Sequence, residues 1–406
     1  MHILFLTHYF PPEVNAPASR TFENAKRWVG KGHRVTVITC APNHPAGILY
    51  AGYKNRLVQW DRIEGIDVLR VITFISPNEG FLKRTINYFS YMLSATFFCL
   101  LVKKVDVVLS TSPQFFCGMA GLLVSKIKRR PWVLEIRDLW PESILTVGAV
   151  KNRLVIGILK KIERFLYCSA HHVIAVTHSF KRHITAVGIP ADRISVLTNG
   201  ADLERFKPGQ SNDLRASLSL EGKFVASYIG THGMAHHLET VLEAARLVDR
   251  KSQVCFLLVG DGAERQNLLR QKETSQLSNV IMLPQQPKEL IPEYLSLSDA
   301  CIVLLKKSEL FKTVIPSKIF EAMAMERPVI LGVEGESEEI IRQAECGICI
   351  EPENAKALAN AVLMLHRDRE LSRKLGENGR KCVAQYYDRD VLAERYLHIL
   401  STCGGT

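Results

Sequence analysis

The run Leu310-Phe-Lys-Thr-Val-Ile-Pro-Ser-Lys-Ile-Phe-Glu-Ala-Met-Ala-Met-Glu-Arg-Pro-Val329 combines a helix start, charge on one helix face and a strand directly behind it. Proline suits a first helical turn because it has no N–H to leave unpaired, and serine is a good capping residue. Pro316 and Ser317 therefore predict a helix that begins near Ile315. The apolar residues from Val329 predict a buried strand after it.

The start of this helix has the chemistry of a phosphate-binding site. Its first N–H groups lack helical partners and, with the helix dipole, favour an anion, while Lys312 and Lys318 add positive charge. Glu321 lies one turn beyond Ser317 on the same face, where its carboxylate can accept both hydroxyls of a ribose. Pro316, Ser317, Lys318 and Glu321 thus predict a nucleoside-diphosphate site. The simpler alternative is a surface helix with a solvated glutamate.

Length and cysteine pattern restrict the class of protein. A chain of 406 residues is long enough for two domains with separate cores. Most of the ten cysteines stand alone in apolar runs, and Cys346-x-x-Cys349 has no second pair to complete a zinc site. The short apolar start, Met1–Thr7, does not fit a signal peptide. We therefore expect structural thiols, a reducing cytoplasm and no metal site.

Positive charge is concentrated in the first half of the chain. Residues 1–205 contain 27 Lys and Arg against 14 Asp and Glu, a net charge of +13, whereas residues 206–406 have a net charge of −2. Such a basic half fits an anionic membrane surface, nucleic acid or phosphorylated substrates. No nucleic-acid-binding motif is present, so an anionic membrane surface is the preferred partner and nucleic acid is not expected.

The uncharged run from Thr85 to Val102 is barely long enough to cross a bilayer. Polar residues interrupt it and a buried strand follows at once. The basic flank Lys83-Arg84 and aromatic residues such as Tyr88 favour a helix that lies at the membrane interface. Simple docking of the helix on the sheet is the alternative.

Two further stretches carry candidate site residues. The strand that begins at Trp132 ends at Arg137-Asp138, and ligands collect at such strand ends. Asp138 can accept the proton of an incoming hydroxyl, with Arg137 holding it or a phosphate, although a structural Arg–Asp cap fits equally well. After the predicted strand at 223–230, loop amides near His232 and Gly233 can meet a diphosphate.

These stretches together resemble glycosyltransferase family 4, a retaining family with the GT-B fold. Beside the Pro-Ser-Lys-x-x-Glu run, the resemblance rests on Gly32-His-Arg-Val-Thr-Val-Ile-Thr39 and on the linker Asn199-Gly-Ala-Asp202. It implies an α/β protein with two Rossmann-like domains whose parallel sheets face an interdomain cleft. Residues 1–205 would bind the acceptor, residues 206–389 the donor, and a last helix at about 390–406 would cross back to the first domain.

The resemblance also assigns site residues. Glu321 matches the second of two family glutamates, and the loop at Asn15 and Ala16 corresponds to one that approaches the donor diphosphate. The turn ending at Gly262 and the strand ending at Leu283 correspond to loops around the diphosphate and the nucleobase. The chain departs from the family at several places. Thr313 replaces the first glutamate, Arg137 a histidine and Glu326 a glycine, and residues 15–18 lack glycine. In the loop after residue 230, Thr231 or His232 stands in place of an arginine, and His236 stands near the place of a lysine.

The expected function is retaining, metal-independent glycosyl transfer without a cofactor. The resemblance to enzymes of O-antigen and capsule synthesis implies a UDP-sugar donor, with N-acetylfucosamine or another amino sugar as its sugar, and a polyprenyl-diphosphate-linked sugar acceptor. It implies a cytoplasmic enzyme, peripheral on the inner face of the membrane. Three alternatives remain at this stage: a sugar-nucleotide epimerase of the same fold, a transferase with a soluble acceptor, and a membrane-bound binding module without activity.

Overall fold

The computed structural model describes residues 1–44, 46–77, 81–112, 115–141, 152–209, 212–249 and 252–405. The chain forms two compact units: unit 1 comprises Met1–Thr198 with Asp390–Thr406, and unit 2 comprises Asn199–Arg389. Each unit contains one predominantly parallel β-sheet with helices packed against it. The predicted α/β class with two parallel-sheet domains is confirmed.

Unit 1 has a sheet of eight strands in the order β3-β4-β2-β1-β5-β6-β7-β8, in which only the β3–β4 pair is antiparallel within the described ranges. Its strands are β1 (His2–Leu6), β2 (Arg34–Cys40), β3 (Val58–Ile63), β4 (Ile66–Val71), β5 (Val107–Thr111), β6 (Trp132–Ile136), β7 (His172–Ala175) and β8 (Ile194–Val196). Its helices are α1 (Ala16–Gly30), α2 (Phe81–Phe98), α3 (Phe115–Lys128), α4 (Arg153–Ser169) and α5 (His178–Ala186), together with the last helix of the chain, α14 (Arg389–Gly404).

Helices cover both faces of the unit 1 sheet, so its central strands are buried along their whole length and are mostly apolar. On one face α2, α3 and α4 contribute buried residues such as Tyr91, Val124 and Leu166. On the other face α1 and α14 contribute Trp28 and Tyr396. The indole N–H of Trp28 donates to the carbonyl of Ala393, 3.1 Å away, so the end of the chain forms part of the unit 1 core.

The outer edge of the unit 1 sheet is a strand that sequence analysis did not predict. Val58–Ile63 forms the antiparallel edge strand β3, joined to β4 by a turn at Glu64 and Gly65 with positive φ at both residues. None of its six residues is buried, because an edge strand has a neighbour on one side only. Its sequence therefore lacks the apolar run that marked the central strands.

Unit 2 has six parallel strands in the order β11-β10-β9-β12-β13-β14, the order of a doubly wound sheet. The strands are β9 (Phe224–Ile229), β10 (Val254–Val259), β11 (Val280–Leu283), β12 (Ala300–Leu304), β13 (Val329–Gly332) and β14 (Gly347–Cys349). The helices are α6 (Asn212–Ser217), α7 (Glu239–Leu247), α8 (Arg265–Thr274), α9 (Ile291–Leu297), α10 (Lys318–Ala324), α11 (Glu336–Gln343), α12 (Ala355–Arg367) and α13 (Arg369–Cys382).

The boundary between the units lies after Thr198, a few residues before the predicted position at 205. The segment in between packs with unit 2. Ala201 forms a β-bridge with Asp388, and Phe206 is buried in an apolar cluster with Phe320 and Met323. The linker sequence thus indicates where the chain passes from unit 1 to unit 2. Because its apolar residues Ala201 and Phe206 pack in unit 2, the boundary lies at the start of the linker.

The structure bears on the state of the cysteines and on the question of a membrane-spanning helix. All ten cysteines are free thiols, and most are buried among apolar side chains, as predicted. No helix in the described part of the chain combines the length and the apolar character needed to cross a membrane.

A buried ion pair joins α1 to the sheet of unit 1. Arg20 Nε lies 2.9 Å from a carboxylate oxygen of Glu135, whose side chain is 1% exposed. Thr111 donates to the other oxygen at 2.7 Å, and Arg20 also donates to the carbonyls of Leu197 and Thr198. Burial raises the pKa of Glu135, but the nearby arginines and hydrogen bonds outweigh it, so the net shift is downward.

Replacing Arg20 by leucine removes the cation that forms an ion pair with the buried Glu135 carboxylate and leaves Arg137 as the nearby cation, so we expect R20L to lose about 3 kcal/mol of unfolding free energy. Trp28, Trp60, Trp132 and Trp140 are the four tryptophans of the chain and all belong to unit 1, so fluorescence during urea unfolding reports on this unit. The control is K26L on the same helix, whose pair with Glu64 is about half exposed, with an expected loss below about 1 kcal/mol. Equal losses in both variants would contradict the proposed importance of the buried pair.

Candidate donor site and acceptor-side residues

The candidate donor site of unit 2 lies at the carboxyl ends of β9 and β12. These strands are neighbours at the point where the strand order reverses, and ligands of doubly wound sheets bind there. A cavity of about 280 Å³ lies against both strands. Lys318 and Glu321 of α10 line it together with apolar residues such as Ile229 and Leu295. The structure therefore brings two of the predicted donor-binding residues to one cavity.

The helix start differs in detail from the prediction. Helix α10 begins at Lys318, three residues later than expected, after two tight turns in which Pro316 and Ser317 carbonyls accept from Ile319 and Phe320 N–H groups. The Ser317 hydroxyl does not cap the helix and instead accepts a hydrogen bond from the Asn199 amide at 3.2 Å. The capping role predicted for Ser317 is wrong because this distant partner competes for its oxygen.

Lys318 brings a buried positive charge to this cavity. Its Nζ lies 3.9 Å from the ring centre of Tyr228, is shielded from solvent and makes no hydrogen bond to any residue in the described ranges. Gly230 allows this position, because a Cβ there would lie 2.6 Å from Nζ. Burial lowers the pKa of Lys318 to about 8, although Glu321 opposes the shift. The site thus presents an ammonium group ready for an anion.

Glu321 lies in a strongly basic environment. Burial raises the pKa of its carboxyl group, while Arg389, Lys288, Lys318 and Arg205 act in the opposite direction. Burial outweighs the four cations, so the net shift of the Glu321 pKa is upward. Cations near this carboxylate favour an anionic ligand beside it, and the ionised carboxylate can accept hydrogen bonds from hydroxyl groups.

His232 is fully buried, and neither of its ring nitrogens finds a hydrogen-bonding partner among the residues that the structure describes. Burial lowers its pKa to about 4, aided by Arg265 and Lys318, so the ring is neutral near pH 7. A neutral imidazole offers one donor and one acceptor. Because buried polar groups are normally hydrogen-bonded, these nitrogens indicate room for a ligand or water.

Close packing of the loops after β9 and β10 fixes the position of His232. Its N–H donates to the Asp261 carbonyl at 2.8 Å, and its carbonyl accepts from Glu264 at 2.9 Å. Gly262 has a φ of 154°, and a Cβ there would lie 2.5 Å from the His232 oxygen. The structure therefore brings the predicted residues His232 and Gly262 into direct contact.

Three other predicted donor-site residues have different environments. Gly233 precedes a short 3-10 turn at Met234–His236 and is half-buried. The carbonyl of Leu283 accepts from the N–H of Gly260 at 3.1 Å, so it already has one partner. Lys312 pairs with Glu309 at 2.6 Å and with Glu334 at 3.5 Å, which neutralises much of its charge. Their contacts with a donor stay predictions.

In unit 1, Arg137 and Asp138 directly follow β6, but their side chains have different neighbours. The Arg137 guanidinium interacts with Glu135 and Arg20, and burial lowers its pKa to about 10. Its Nη1 is buried and has no hydrogen-bonding partner among the described residues. Asp138 is half-buried and lines a cavity of about 310 Å³ with Phe115, Trp140 and Tyr167, among others. Glu142 and Ser143 of the Trp-Pro-Glu-Ser stretch lie outside the described residues.

Asn15 and Ala16 form the start of α1. The Asn15 side chain accepts from the N–H of Ala18 at 2.9 Å and so caps the helix, while its Nδ2 is buried without a partner in the described parts of the chain. Ala16 is exposed. Asn15 therefore has a structural role, and its amide N–H group stays a candidate for the predicted diphosphate contact.

Sequence analysis did not identify Tyr228, whose ring lies against the ammonium group of Lys318. Its hydroxyl donates to the Thr231 carbonyl at 2.9 Å, and its ring centre lies 5.8 Å from that of His236. Within the strand Phe224–Ile229 a tyrosine is indistinguishable from any other core residue. The one available signal was its position two residues before Gly230, at the carboxyl end of a central strand.

Comparisons with known proteins extend these observations to nearly the whole chain. A family model described as Glycosyltransferase Family 4 matches residues 18–205, and one described as Glycosyl transferases group 1 matches residues 210–382. The chain belongs to glycosyltransferase family 4. The predicted family, the GT-B fold and the prediction of an enzyme of the glycosyltransferase class are thereby confirmed.

Individual relatives are distant but match over most of their length. The chain is 26% identical to the capsular polysaccharide biosynthesis glycosyltransferase CapM of Staphylococcus aureus, covering 91% of this chain and 96% of that protein. It is 21% identical to the N,N'-diacetylbacillosaminyl-diphospho-undecaprenol alpha-1,3-N-acetylgalactosaminyltransferase of Campylobacter jejuni, covering 79% and 83%. Among solved structures, HepE of Anabaena in complex with UDP has the same fold, with a TM-score of 0.75, 18% identity and coverage of 99% and 100%.

Proposed function

We propose that this glycosyltransferase moves a sugar, with retention of configuration and without a metal ion, from a UDP-sugar to a polyprenyl-diphosphate-linked sugar in bacterial surface polysaccharide synthesis. The observation that carries the proposal is a pair of buried groups near Glu321, the Lys318 ammonium and the His232 imidazole, which have no hydrogen-bonding partner among the described residues. The names of the Staphylococcus and Campylobacter relatives support the pathway and the lipid-linked acceptor. A soluble acceptor is the alternative.

In this proposal unit 2 binds the donor. Glu321 accepts hydrogen bonds from the ribose hydroxyls, and Lys318 and His232 face the diphosphate. When the bond between the anomeric carbon and the diphosphate oxygen breaks, its electron pair leaves with the diphosphate. Preorganised positive charge in a buried site stabilises that developing charge far better than water does. The UDP complex of HepE supports the choice of UDP, and N-acetylfucosamine or another amino sugar is our choice of donor sugar.

Unit 1 binds the acceptor in this proposal. The acceptor oxygen forms a bond to the anomeric carbon on the face that the diphosphate leaves, and its proton passes to the Asp138 carboxylate. Asp138 fits this role because it lines a cavity that also contains aromatic side chains suited to a sugar ring, Phe115 and Trp140. In this proposal Arg137 orients the acceptor through its Nη1, which has no hydrogen-bonding partner within the described ranges, while the rest of the guanidinium interacts with Glu135.

An apolar surface on unit 1 supports peripheral attachment to the inner face of the membrane. The helices α2, α3 and α4 lie side by side, with contacts from α2 to α3 and from α3 to α4. Large apolar side chains project outward from all three. Exposed members are Leu82, Ile86, Phe89, Leu93 and Phe97 of α2, Leu123 and Ile127 of α3, and Leu154, Ile158 and Phe165 of α4.

Spacing and charge distinguish this surface from ordinary exposed apolar residues. The α2 members follow a helical repeat, so they form one stripe along the helix. Exposed basic residues lie on the same helices, including Lys83, Lys126, Lys160 and Lys161. An apolar stripe flanked by basic residues is typical of helices that bind anionic lipid interfaces.

Glu321→Ala should weaken UDP binding by roughly 1.5–3 kcal/mol, the scale of hydrogen bonds to a charged group. Isothermal titration calorimetry with UDP measures this directly. The control is Glu326→Ala, an exposed glutamate of the same segment, which should leave the affinity unchanged. An unaltered UDP affinity in Glu321→Ala would contradict the ribose contact.

Asp138→Asn should lower turnover by about 10²–10⁴-fold, because the amide cannot accept the acceptor proton. UDP affinity should stay at the wild-type value, since the residue belongs to the acceptor side. Transfer to a polyprenyl-diphosphate-linked sugar is followed by release of UDP. Wild-type turnover in this variant would show that Asp138 only stabilises the loop.

Electrostatic attachment should make binding to vesicles depend on lipid charge and salt, because added ions screen surface charge. We expect co-sedimentation with anionic vesicles, weaker binding at high salt and little binding to neutral vesicles. The double change Lys160→Glu and Lys161→Glu on α4 should reduce binding. The same change in charge at Lys374 and Lys381 on α13 of unit 2 is the control. Binding that ignores lipid charge, salt and the α4 substitutions would overturn the proposal.

A further inference from the structure

The edge strand of the unit 1 sheet directs part of its backbone away from the sheet. Strand β3 (Val58–Ile63) pairs only with β4 within the described ranges. The carbonyl of Leu57 accepts from the N–H of Ile72 at 3.2 Å, and hydrogen-bonded pairs alternate with unbonded pairs along an antiparallel ladder. Every second residue of β3 therefore points its N–H and C=O outward, namely Val58, Trp60 and Arg62. Such a row of donors and acceptors is a template for another strand.

The side chains along this edge are available to a partner. Trp60 in the middle of β3 is 48% exposed, and Leu57 directly before the strand is 66% exposed. The strand sequence contains no proline, and its register with β4 is continuous from Val58 to Ile63, so two common protections of a sheet edge do not operate here. An exposed tryptophan at the centre of such an edge is typical of the residues that dominate the binding energy of an interface.

The sequence around β3 is complementary to itself when two copies of the strand run antiparallel. With Trp60 opposite Trp60 of a second copy, the outward N–H and C=O groups of both strands meet in hydrogen-bonded pairs. Val58 of each copy then lies opposite Arg62 of the other. Just beyond the strand ends, the exposed Arg56 of each copy lies beside the exposed Glu64 of the other. Opposite charges placed across a strand pair stabilise it.

The two neighbouring registers place like charges opposite each other. A pair centred on Gln59 would bring Arg56 of one copy opposite Arg62 of the other, and a pair centred on Asp61 would bring two Asp61 carboxylates together. Like charges directly opposite destabilise a strand pair. The register centred on Trp60 avoids both and brings two indole rings together. We propose that two copies of this chain pair through β3 in this register and form a two-fold symmetric dimer.

The symmetry of this pairing determines which faces of the two sheets lie together. Two antiparallel edge strands are related by an axis perpendicular to the joined sheet, so equal faces lie on the same side. Trp60 pairs with Leu69 of β4, which is buried in the same cluster as Tyr91 of α2. The helices α2, α3 and α4 of both copies therefore lie on one face of the dimer. If this surface binds membranes as proposed above, both copies contact one bilayer, and attachment of the first raises the effective concentration of the second.

Sedimentation velocity of the full-length protein over a concentration series tests the dimer. We expect a reversible equilibrium between monomer and dimer for the wild type. Trp60→Lys places two like charges at the centre of the pair and should raise the dimer dissociation constant by at least about tenfold. The control is Met364→Lys on α12 of unit 2, a residue 51% exposed, which should change the constant by less than about twofold. Unchanged thermal unfolding shows that both variants are folded. A wild type that is monomeric at every concentration, or equal effects of the two variants, would overturn the proposal.

The variants Val58→Cys and Arg62→Cys test the register. In the proposed pairing these positions of two copies face each other with Cα atoms about 5.5 Å apart, within the range of a disulfide. Two copies of the same variant have their cysteines four residues apart along the strands, about 13 Å, which is too far to bridge. Air oxidation with a copper–phenanthroline catalyst should therefore cross-link a mixture of the two variants but neither variant alone. The wild type treated identically gives the background from Cys168, an exposed native thiol. Cross-linking of either variant alone above that background, or none in the mixture, would overturn the register.

Binding to anionic vesicles separates the dimer from the proposed function. Trp60→Lys should need at least about tenfold more lipid than the wild type for half-maximal co-sedimentation, because its surfaces attach singly. The added positive charge favours anionic lipid, so a loss of binding cannot come from charge. Met364→Lys should bind as the wild type does. If the wild type is dimeric but Trp60→Lys binds vesicles equally well, the shared membrane face is wrong and the dimer stands. If UDP does not bind, the proposed function is wrong whatever the oligomeric state.

Discussion

The donor site depends on an ammonium group that is buried before any anion arrives. Lys318 is held over the ring of Tyr228, and its approach requires the bare backbone of Gly230. The carbonyl of Gly230 in turn lies where a Cβ of Gly260 would be, at 1.8 Å. Two loops thus pack backbone to backbone so that one charge can stay desolvated. Side chains larger than hydrogen at these glycines would fill the space that positions it.

Burial also sets the charge of the protein groups in the donor site. Lys318 has a pKa of about 8, and those of His232 and His236 are about 4, so the histidines add no positive charge near neutral pH. A bound diphosphate would favour the protonated form of Lys318, because a nearby opposite charge stabilises an ionised group. The protein groups of the site therefore carry more positive charge when the diphosphate is bound than when it is absent. Because Lys318 loses its proton more easily than a free lysine, the free-energy cost of burying it is lower when no nucleotide is bound.

Sequence analysis predicted the central strands and the presence of a helix at α10 because those signals are local. Runs such as Val254–Val259 are apolar whatever their neighbours, and the spacing of Lys318 and Glu321 follows from helix geometry. The errors depend on distant partners. The Ser317 hydroxyl accepts from an amide 118 residues away, and the backbone of His232 is packed against Gly262 of the turn after β10. The edge strand β3 and the contribution of Tyr228 likewise appear only once the sheet is assembled.

The bridge between Ala201 and Asp388 has a consequence for how the chain is put together. Unit 1 contains both termini, and unit 2 enters and leaves through two segments that are hydrogen-bonded to each other. Unit 2 is therefore an insertion with adjoining ends, a type of junction that tolerates excision and transplantation. A nascent chain can complete unit 2 while unit 1 still lacks α14. If unit 2 were exchanged between related enzymes, the chain would have to be rejoined only at these two adjacent segments.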